Sequence, residues 1–290
     1  MLKDLFKGII KTLGYKPRTI VEGINKWSLK LAWREQGLAD MIEKLRLIVP
    51  DISHQYSQPS ALTDYDKIKA RSQQAFQCTL MLKALEALPG QELTVADIGD
   101  SAGTHMLYLR ELVQDREQVK TISVNLDPRA IDKIRKRGLR AILCRAEEVD
   151  FYGEKVDLFT SFEMVEHLHN PAIFFRRLAK KTTCNNMLIT VPYVRTSRVG
   201  LHEIRREVRE NYYAEDAHIF ELNPQDWSLL LRHSGWRVAH SEIYYQYPRK
   251  WPGLAQLMAL YWRATDFEGF WGAILEKDTS LSDYYQDWED

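Results

Sequence analysis

From residue 92 to residue 275 the chain alternates short apolar runs with longer stretches that are apolar on one side only, and this rhythm limits the folds open to it. Seven runs have the length and composition of strands: 93–98, 121–125, 141–144, 156–161, 187–191, 236–241 and 270–275. Between them, 103–113, 128–137, 171–180 and 224–233 carry helical spacing. Strands separated by helices make βαβ units, and each crossover lays a helix over the sheet. The spacing therefore predicts an α/β fold: a seven-stranded, mostly parallel sheet with helices on both faces. Pro128 and Pro171 suit first helical turns and Asn170 an N-cap, whereas Pro192 is expected to close the fifth strand and Gly235 to stop a helix.

The flanks read differently. Residues 2–13 carry Leu2, Leu5, Phe6, Ile9, Ile10 and Leu13 on one helical side and Lys3, Lys7 and Lys11 on the other. Helical text continues from about Ile20 to Leu47 and over 64–88, with a polar loop at 51–63. Residues 1–90 are thus expected to form a helical N-terminal extension or cap that covers a bound cofactor, with the helix at 2–13 docking on a subunit, such as a second copy of the chain, in preference to lying on a membrane surface. Residues 91–290 form the α/β domain, with inserts at about 192–223 and 243–268. The second insert is aromatic-rich, and Tyr244, Tyr245, Tyr247, Trp251, Trp262 and Trp271 are expected mainly in the core. The first carries Arg195, Arg198, Arg205, Arg206 and Arg209, either a solvated face or a clamp for an acidic ligand.

Charge narrows the partners. Lys and Arg number 40 against 40 Asp and Glu, which argues against a protein that coats nucleic acid through bulk positive charge, without excluding nucleic acid. The zero conceals a +6 head over residues 1–34 and a −7 tail over 264–290, two ends expected to attract each other or a neighbouring subunit. Cys78, Cys144 and Cys184 have no C-x-x-C spacing and read as reduced thiols, which suits a cytoplasmic protein. No run approaches the ~18 apolar residues of a membrane span.

The run Asp97-Ile98-Gly99-Asp100-Ser101-Ala102-Gly103-Thr104 lies between a strand and a helix. Small residues there let the backbone turn sharply, and the helix N-terminus offers N–H groups to a carboxylate or phosphate. The dinucleotide fingerprint G-x-G-x-x-G fails, because its second and third positions are Ser101 and Thr104.

The same run resembles motif I of class I S-adenosylmethionine-dependent methyltransferases, with matches at Asp97, Gly99 and Gly103, and with Ser101 for the middle glycine. Asp100 stands where many members have Cys or a small residue. Further landmarks follow in the family's order: 122–128, Arg145-Ala146-Glu147-Glu148, Phe162-Glu163-Met164-Val165-Glu166-His167-Leu168, Thr190-Val191-Pro192 and Gly235-Trp236. The post-strand-4 segment resembles the branch containing the ubiquinone-pathway O-methyltransferases. The resemblance spans about residues 75–243 and implies a Rossmann-like fold that binds S-adenosylmethionine through Asp97, Gly99, Ser101, Gly103, Asn125, Asp127, Ala146, Glu147, Phe162 and Glu163. Two departures stand out. Asn125 occupies the position of the acid that receives the ribose hydroxyls, with Asp127 two residues on as a substitute, and Arg145 replaces the usual Asp near the adenine.

Glu163, Glu166 and His167 sit just after the fourth strand, where ligands bind in open α/β sheets, and His218 is expected to return to them. Glu166, His167 and His218 are candidates for acid/base catalysis. Together with Glu163 they also make an oxygen/nitrogen set suited to Mg²⁺ or Mn²⁺. Small-RNA 3′-end 2′-O-methyltransferases hold a metal on a similar E-x-x-E-H with a distant His. A purely structural role is the third reading. The chain lacks the Asn/Asp-Pro-Pro-aromatic tetrad of enzymes that methylate nucleobase or glutamine nitrogens, which favours an oxygen acceptor. The expected function is methyl transfer to a hydroxyl of a small molecule or glycan. Metal-assisted RNA 2′-O-methylation and a non-catalytic S-adenosylmethionine-binding module are the alternatives.

Overall fold

In the computed structural model, which describes residues 17–53, 62–90, 92–113, 118–149, 151, 153–200 and 217–285, the alternation becomes one seven-stranded sheet. Its strands are β1 (Glu92–Ile98), β2 (Gln118–Asn125), β3 (Arg140–Leu143), β4 (Leu158–Phe162), β5 (Asn186–Tyr193), β8 (Trp236–Tyr245) and β9 (Gly269–Lys277). Their order is β3-β2-β1-β4-β5-β9-β8, with β1 to β5 parallel and β9 antiparallel to both its neighbours. A separate ribbon pairs β6 (Arg198–Val199) with β7 (Phe220–Glu221). The order reverses direction between β1 and β4, so a crevice opens at their carboxyl ends, the standard ligand position in such sheets.

Burial explains the composition of the strands. β1 is buried from its second residue onward and β5 at all but its two ends, because helices cover both faces and no position is left for alternation with polar residues. One face packs under Phe76, Leu80 and Met81, and the other under Phe174, Phe175, Trp227 and Trp236. The helices are α1 (Pro17–Glu35), α2 (Ala39–Ile48), α3 (Asp64–Glu86), α4 (Thr104–Leu112), α5 (Pro128–Lys136), α6 (Pro171–Lys181), α7 (Pro224–His233) and α8 (Pro252–Thr265). Thr63 and Asp66 form a reciprocal capping box that fixes the start of α3. A Cβ on Gly272 of β9 would strike Leu80, so its absence lets α3 lie close on the sheet. That approach brings Gln77 Nε2 within 2.9 Å of Thr190 Oγ1 at the crevice end of β5.

Three local expectations are corrected. The helix expected over 20–47 is two helices, because Gly37 adopts φ +72°, which no α-helix accommodates. Pro192 does not close β5 but lies inside it opposite Phe270, since β4 ends opposite Thr190 and leaves one side of Pro192 without a strand partner. β8 runs on to Tyr245, and the rest of the second insert contains α8. Of its aromatics, Tyr244, Tyr247, Trp262 and Trp271 are buried as expected, whereas Trp251 is exposed. Among the described residues no helix is long and apolar enough to cross a membrane. The segment 2–13, the residues Arg205, Arg206 and Arg209, and the last five residues of the acidic tail lie outside the described residues.

Candidate active site

The loop after β1 is built on two glycines. Gly99 has φ +97° and Gly103 has φ +73°, and added Cβ atoms would meet the side chains of Met164 and Leu139 respectively. Both positions need glycine for conformation and for close approach. Asp100 does more than the sequence suggests. Its Oδ1 accepts from the backbone N–H groups of Ala102 (3.1 Å) and Gly103 (2.6 Å), and its Oδ2 accepts from Ser123 Oγ (2.7 Å). The N–H groups of Ala102 and Gly103 are therefore already satisfied within the loop.

The side chains at the expected ribose position make local contacts. Asn125 Nδ2 donates to the Asp100 carbonyl at 3.0 Å, and its Oδ1 accepts from the Asp127 N–H at 2.7 Å. Asp127 caps α5 through the Arg129 N–H and pairs with the Arg129 guanidinium at 2.8 Å. Ala146 and Glu147 form a short 3₁₀ turn after β3. Arg145 leans on Glu147 (3.7 Å) and Glu148 (4.0 Å).

Buried acids gather around the loop. Asp97 accepts from Thr160 Oγ1 at 3.0 Å, yet burial and then the neighbouring Asp100 push its carboxyl well above the usual range. Burial likewise raises Asp100, against its hydrogen bonds from Ser123, Gly103 and Ala102. Glu163 has φ +50°, a left-handed conformation rare outside glycine, and its Oε1 is buried without a hydrogen-bond partner. Burial pushes its carboxyl up to about 8, although Thr190, Lys69 and Gln73 work in the other direction. Sequence reasoning missed His105 here. Its Nε2 donates to Gln77 Oε1 at 2.8 Å, its ring lies 4.4 Å from that of Phe162, and burial drives its pKa down to about 3, so it is neutral. Its place two residues after Gly103, in the first turn of the helix that follows the loop, was the available signal.

The second cluster forms where β4 ends in a 3₁₀ turn, Val165–His167. Glu166, His167 and His218 converge, each offering one ligand atom within 4.8 Å of the others. The ribbon of β6 and β7 delivers His218, with the Ile219 N–H donating to the Glu166 carbonyl at 2.8 Å. Both Glu166 carboxylate oxygens are buried and unpartnered, and burial, reinforced by Glu163, holds its pKa well above the usual range. His167 Nδ1 donates to the Ala217 carbonyl (3.0 Å), and His218 Nδ1 faces Glu221 Oε1 (3.1 Å). Burial alone would raise Glu221, but His218 and Arg198 outweigh it and hold its pKa low. Acceptors on both Nδ1 atoms fix the tautomer in which Nε2 carries the lone pair. Glu163 does not join this set, because its carboxyl faces Thr190, Gln73 and Lys69 instead.

A methyltransferase-domain family profile matches residues 70–241, more than half of the chain. Among solved structures, the 1,6-didemethyltoxoflavin-N1-methyltransferase of Burkholderia thailandensis, with 1,6-didemethyltoxoflavin and S-adenosylhomocysteine bound, is 14% identical. The match covers 74% of this chain and 81% of that one, with a TM-score of 0.51. The O-methyltransferase of a trans-AT polyketide synthase multienzyme of Brevibacillus brevis, in complex with S-adenosylhomocysteine, is 12% identical over 82% of this chain and 80% of that one, with a TM-score of 0.51. The [4+2]-cyclase SpnF has the same TM-score at 12% identity, covering 81% and 92%. At these identities the likeness is one of fold, and the fold carries more than one chemistry. No curated protein matches the chain in sequence.

Proposed function

Because the chain belongs to the methyltransferase-domain family and is an S-adenosylmethionine-dependent methyltransferase, we propose that it methylates a hydroxyl group of a small molecule or glycan. The observation that carries the choice of oxygen is the trio of Glu166, His167 and His218 beside the cofactor crevice. A hydroxyl must lose its proton as it attacks, and an imidazole whose Nδ1–H is fixed by a carbonyl is oriented to take that proton at Nε2. Glu166, with its raised pKa, is suited to stay protonated beside the imidazoles and to offer a hydrogen bond to the acceptor.

The residues around the glycine loop fit S-adenosylmethionine. Asp97, Asp100 and Glu163 are buried carboxyl groups whose ionised forms are penalised by burial, and Glu163 Oε1 has no partner. A ligand bearing an ammonium and a sulfonium relieves that penalty. When bound, the cofactor supplies an electrophilic methyl group, so the chain needs to align the acceptor and remove one proton. The acceptor oxygen forms the new C–O bond as the C–S bond breaks, and S-adenosylhomocysteine leaves.

One observation favours a second reading. A buried carboxylate beside two imidazoles, each with its Nδ1 anchored to an oxygen, has the donor set and outer-shell contacts of a divalent metal site. Glu166, His167 and His218 would then hold the ion, which would acidify the acceptor hydroxyl in place of a base.

Incubation with methyl-labelled S-adenosylmethionine separates the readings. We expect label in alkali-stable ethers of a metabolite or glycan fraction, and His167→Ala to abolish it with cofactor affinity changed less than about 3-fold. Label confined to RNA would overturn the acceptor assignment, and no S-adenosylmethionine binding at 1 mM would overturn the whole reading. Loss of turnover in EDTA, restored by Mg²⁺ or Mn²⁺, selects the metal over the free base.

A further inference from the structure

Beyond the trio, two adjoining cavities of about 470 and 520 Å³ share Arg195 and Arg249. The first opens at the carboxyl ends of β5 and β8, against Tyr193, Tyr245 and Trp271. The second runs along α8, over Pro252, Ala255, Ala259 and Leu260, and ends at Arg263. Their charge is lopsided. Arg195 and Arg263 both donate to the buried Glu268, at 2.8 and 2.6 Å, and the Tyr247 hydroxyl donates to the same carboxylate at 2.7 Å. One carboxylate thus balances one of two guanidinium groups. Arg249 adds a third. Its guanidinium lies 4.1 Å from the Tyr245 ring centroid, while Glu35 Oε1 accepts from its backbone N–H at 2.8 Å. Glu242, the other acid on these walls, is already paired with Lys83 at 2.9 Å and with His240 at 2.6 Å.

A stacked, exposed guanidinium over an aromatic ring is a preorganised receptor for a carboxylate or phosphate. The groove beside it is apolar, and Leu260 on its wall is 57% exposed. Together they match an amphiphilic anion rather than a bare one. Phe267, next in sequence to Glu268, stacks on His218 with ring centroids 5.5 Å apart, so the carboxylate that holds Arg195 of the cavity wall is one residue from a ring contact with the trio.

We propose that these cavities anchor the acceptor, and that the acceptor is a small soluble molecule carrying a carboxylate or phosphate on an apolar body. Arg249, with Arg195 and Arg263, holds the anionic group, the face of α8 takes the apolar body, and the hydroxyl is directed toward His167 and His218. The proposal rests on the methyl-transfer reading only in calling this ligand an acceptor.

Calorimetry on the full chain tests it with decyl phosphate below its aggregation concentration, octyl glucoside as the neutral counterpart, and phosphatidylglycerol vesicles. We expect decyl phosphate to bind one-to-one and octyl glucoside at least 10-fold more weakly. Arg249→Gln and Leu260→Ser should each weaken decyl phosphate at least 5-fold with melting temperature unchanged. Equal affinity for the neutral amphiphile, an unaffected Arg249→Gln, or binding to vesicles without binding of the monomer would each overturn the proposal, the last by making this face a membrane surface. S-adenosylhomocysteine is titrated in parallel. Variants that keep it within 2-fold while losing decyl phosphate support a separate anion subsite, and variants that lose both refute it. Wild-type protein that binds decyl phosphate but not S-adenosylhomocysteine would sink the methyl-transfer reading and leave the subsite standing.

Discussion

Glu163→Gln isolates the electrostatic state of the crevice. The substitution keeps the shape and the φ of +50°, so backbone strain cancels between variant and wild type. What changes is a carboxyl group that burial lifts from 4.5 to about 8. The sign follows from linkage: the folded state binds this proton more tightly than the unfolded chain, so Glu163 costs nothing well below pH 4.5 and progressively more up to pH 8, with no further loss above it. At ~1.36 kcal/mol per pH step, the span from 4.5 to about 8 amounts to about 5 kcal/mol as a ceiling. Local relaxation around the ionised group reduces this, and about 2 kcal/mol is expected. Removing the charge also relieves Glu166, which adds in the same direction. Urea unfolding should find the variant within ~1 kcal/mol of wild type at pH 5 and about 2 kcal/mol more stable at pH 8.5. The cofactor should respond oppositely. Its cations favour the ionised carboxyl, so wild-type affinity rises from pH 6 to pH 9 with proton release, whereas the variant binds about 10-fold more weakly at pH 8.5 and shows less of that rise. A stability gain independent of pH, or a variant destabilised at pH 8.5, would refute the reasoning.

Three further outcomes follow from the geometry. Asn125→Asp restores the acid expected at the tip of β2, yet it removes the donor to the Asp100 carbonyl and adds charge beside Asp100, so it should weaken S-adenosylhomocysteine binding by calorimetry; stronger binding would contradict this account. Gly99→Ala places a methyl group at φ +97°, with its Cβ 2.8 Å from Met164 Cβ, and should lose about 1–3 kcal/mol in urea unfolding, part of it recovered in the double variant with Met164→Ala. Additive losses would show that Met164 is not the obstacle. Asp100→Asn keeps the size and removes a carboxyl that burial raises, so by the same linkage its melting temperature relative to wild type should rise from pH 4 to pH 7.5; a fall would mean that lost acceptance from the Ala102 and Gly103 N–H groups outweighs the burial penalty.

The order of strands and helices, the loop turning on Gly99 and Gly103, and the adjacency of Glu166 to His167 were legible in the sequence, because each depends on residues a few positions apart. Periodicity and turn chemistry act over that range, which is also why the element boundaries fall close to expectation, apart from the break at Gly37, the run of β5 through Pro192 and the extension of β8 to Tyr245. Packing decided the rest. A carboxylate in a loop reads as a ligand contact until its neighbours are known, and Asp100 spends its oxygens on Ala102, Gly103 and Ser123. Asp127 likewise caps α5. His218 joins Glu166 and His167 from some fifty residues away because β6 and β7 fold back over the turn after β4, while the left-handed backbone at Glu163 turns the first acid of the same motif toward Thr190 and Lys69. Arg195, Arg249 and Arg263 are scattered in the sequence and meet only on the wall of one cavity, from the segments after β5 and β8 and from α8. Local spacing fixes which elements form and where the backbone turns, but the partner that satisfies, neutralises or leaves bare each polar group is chosen by contacts between distant segments, and only the tertiary structure supplies those.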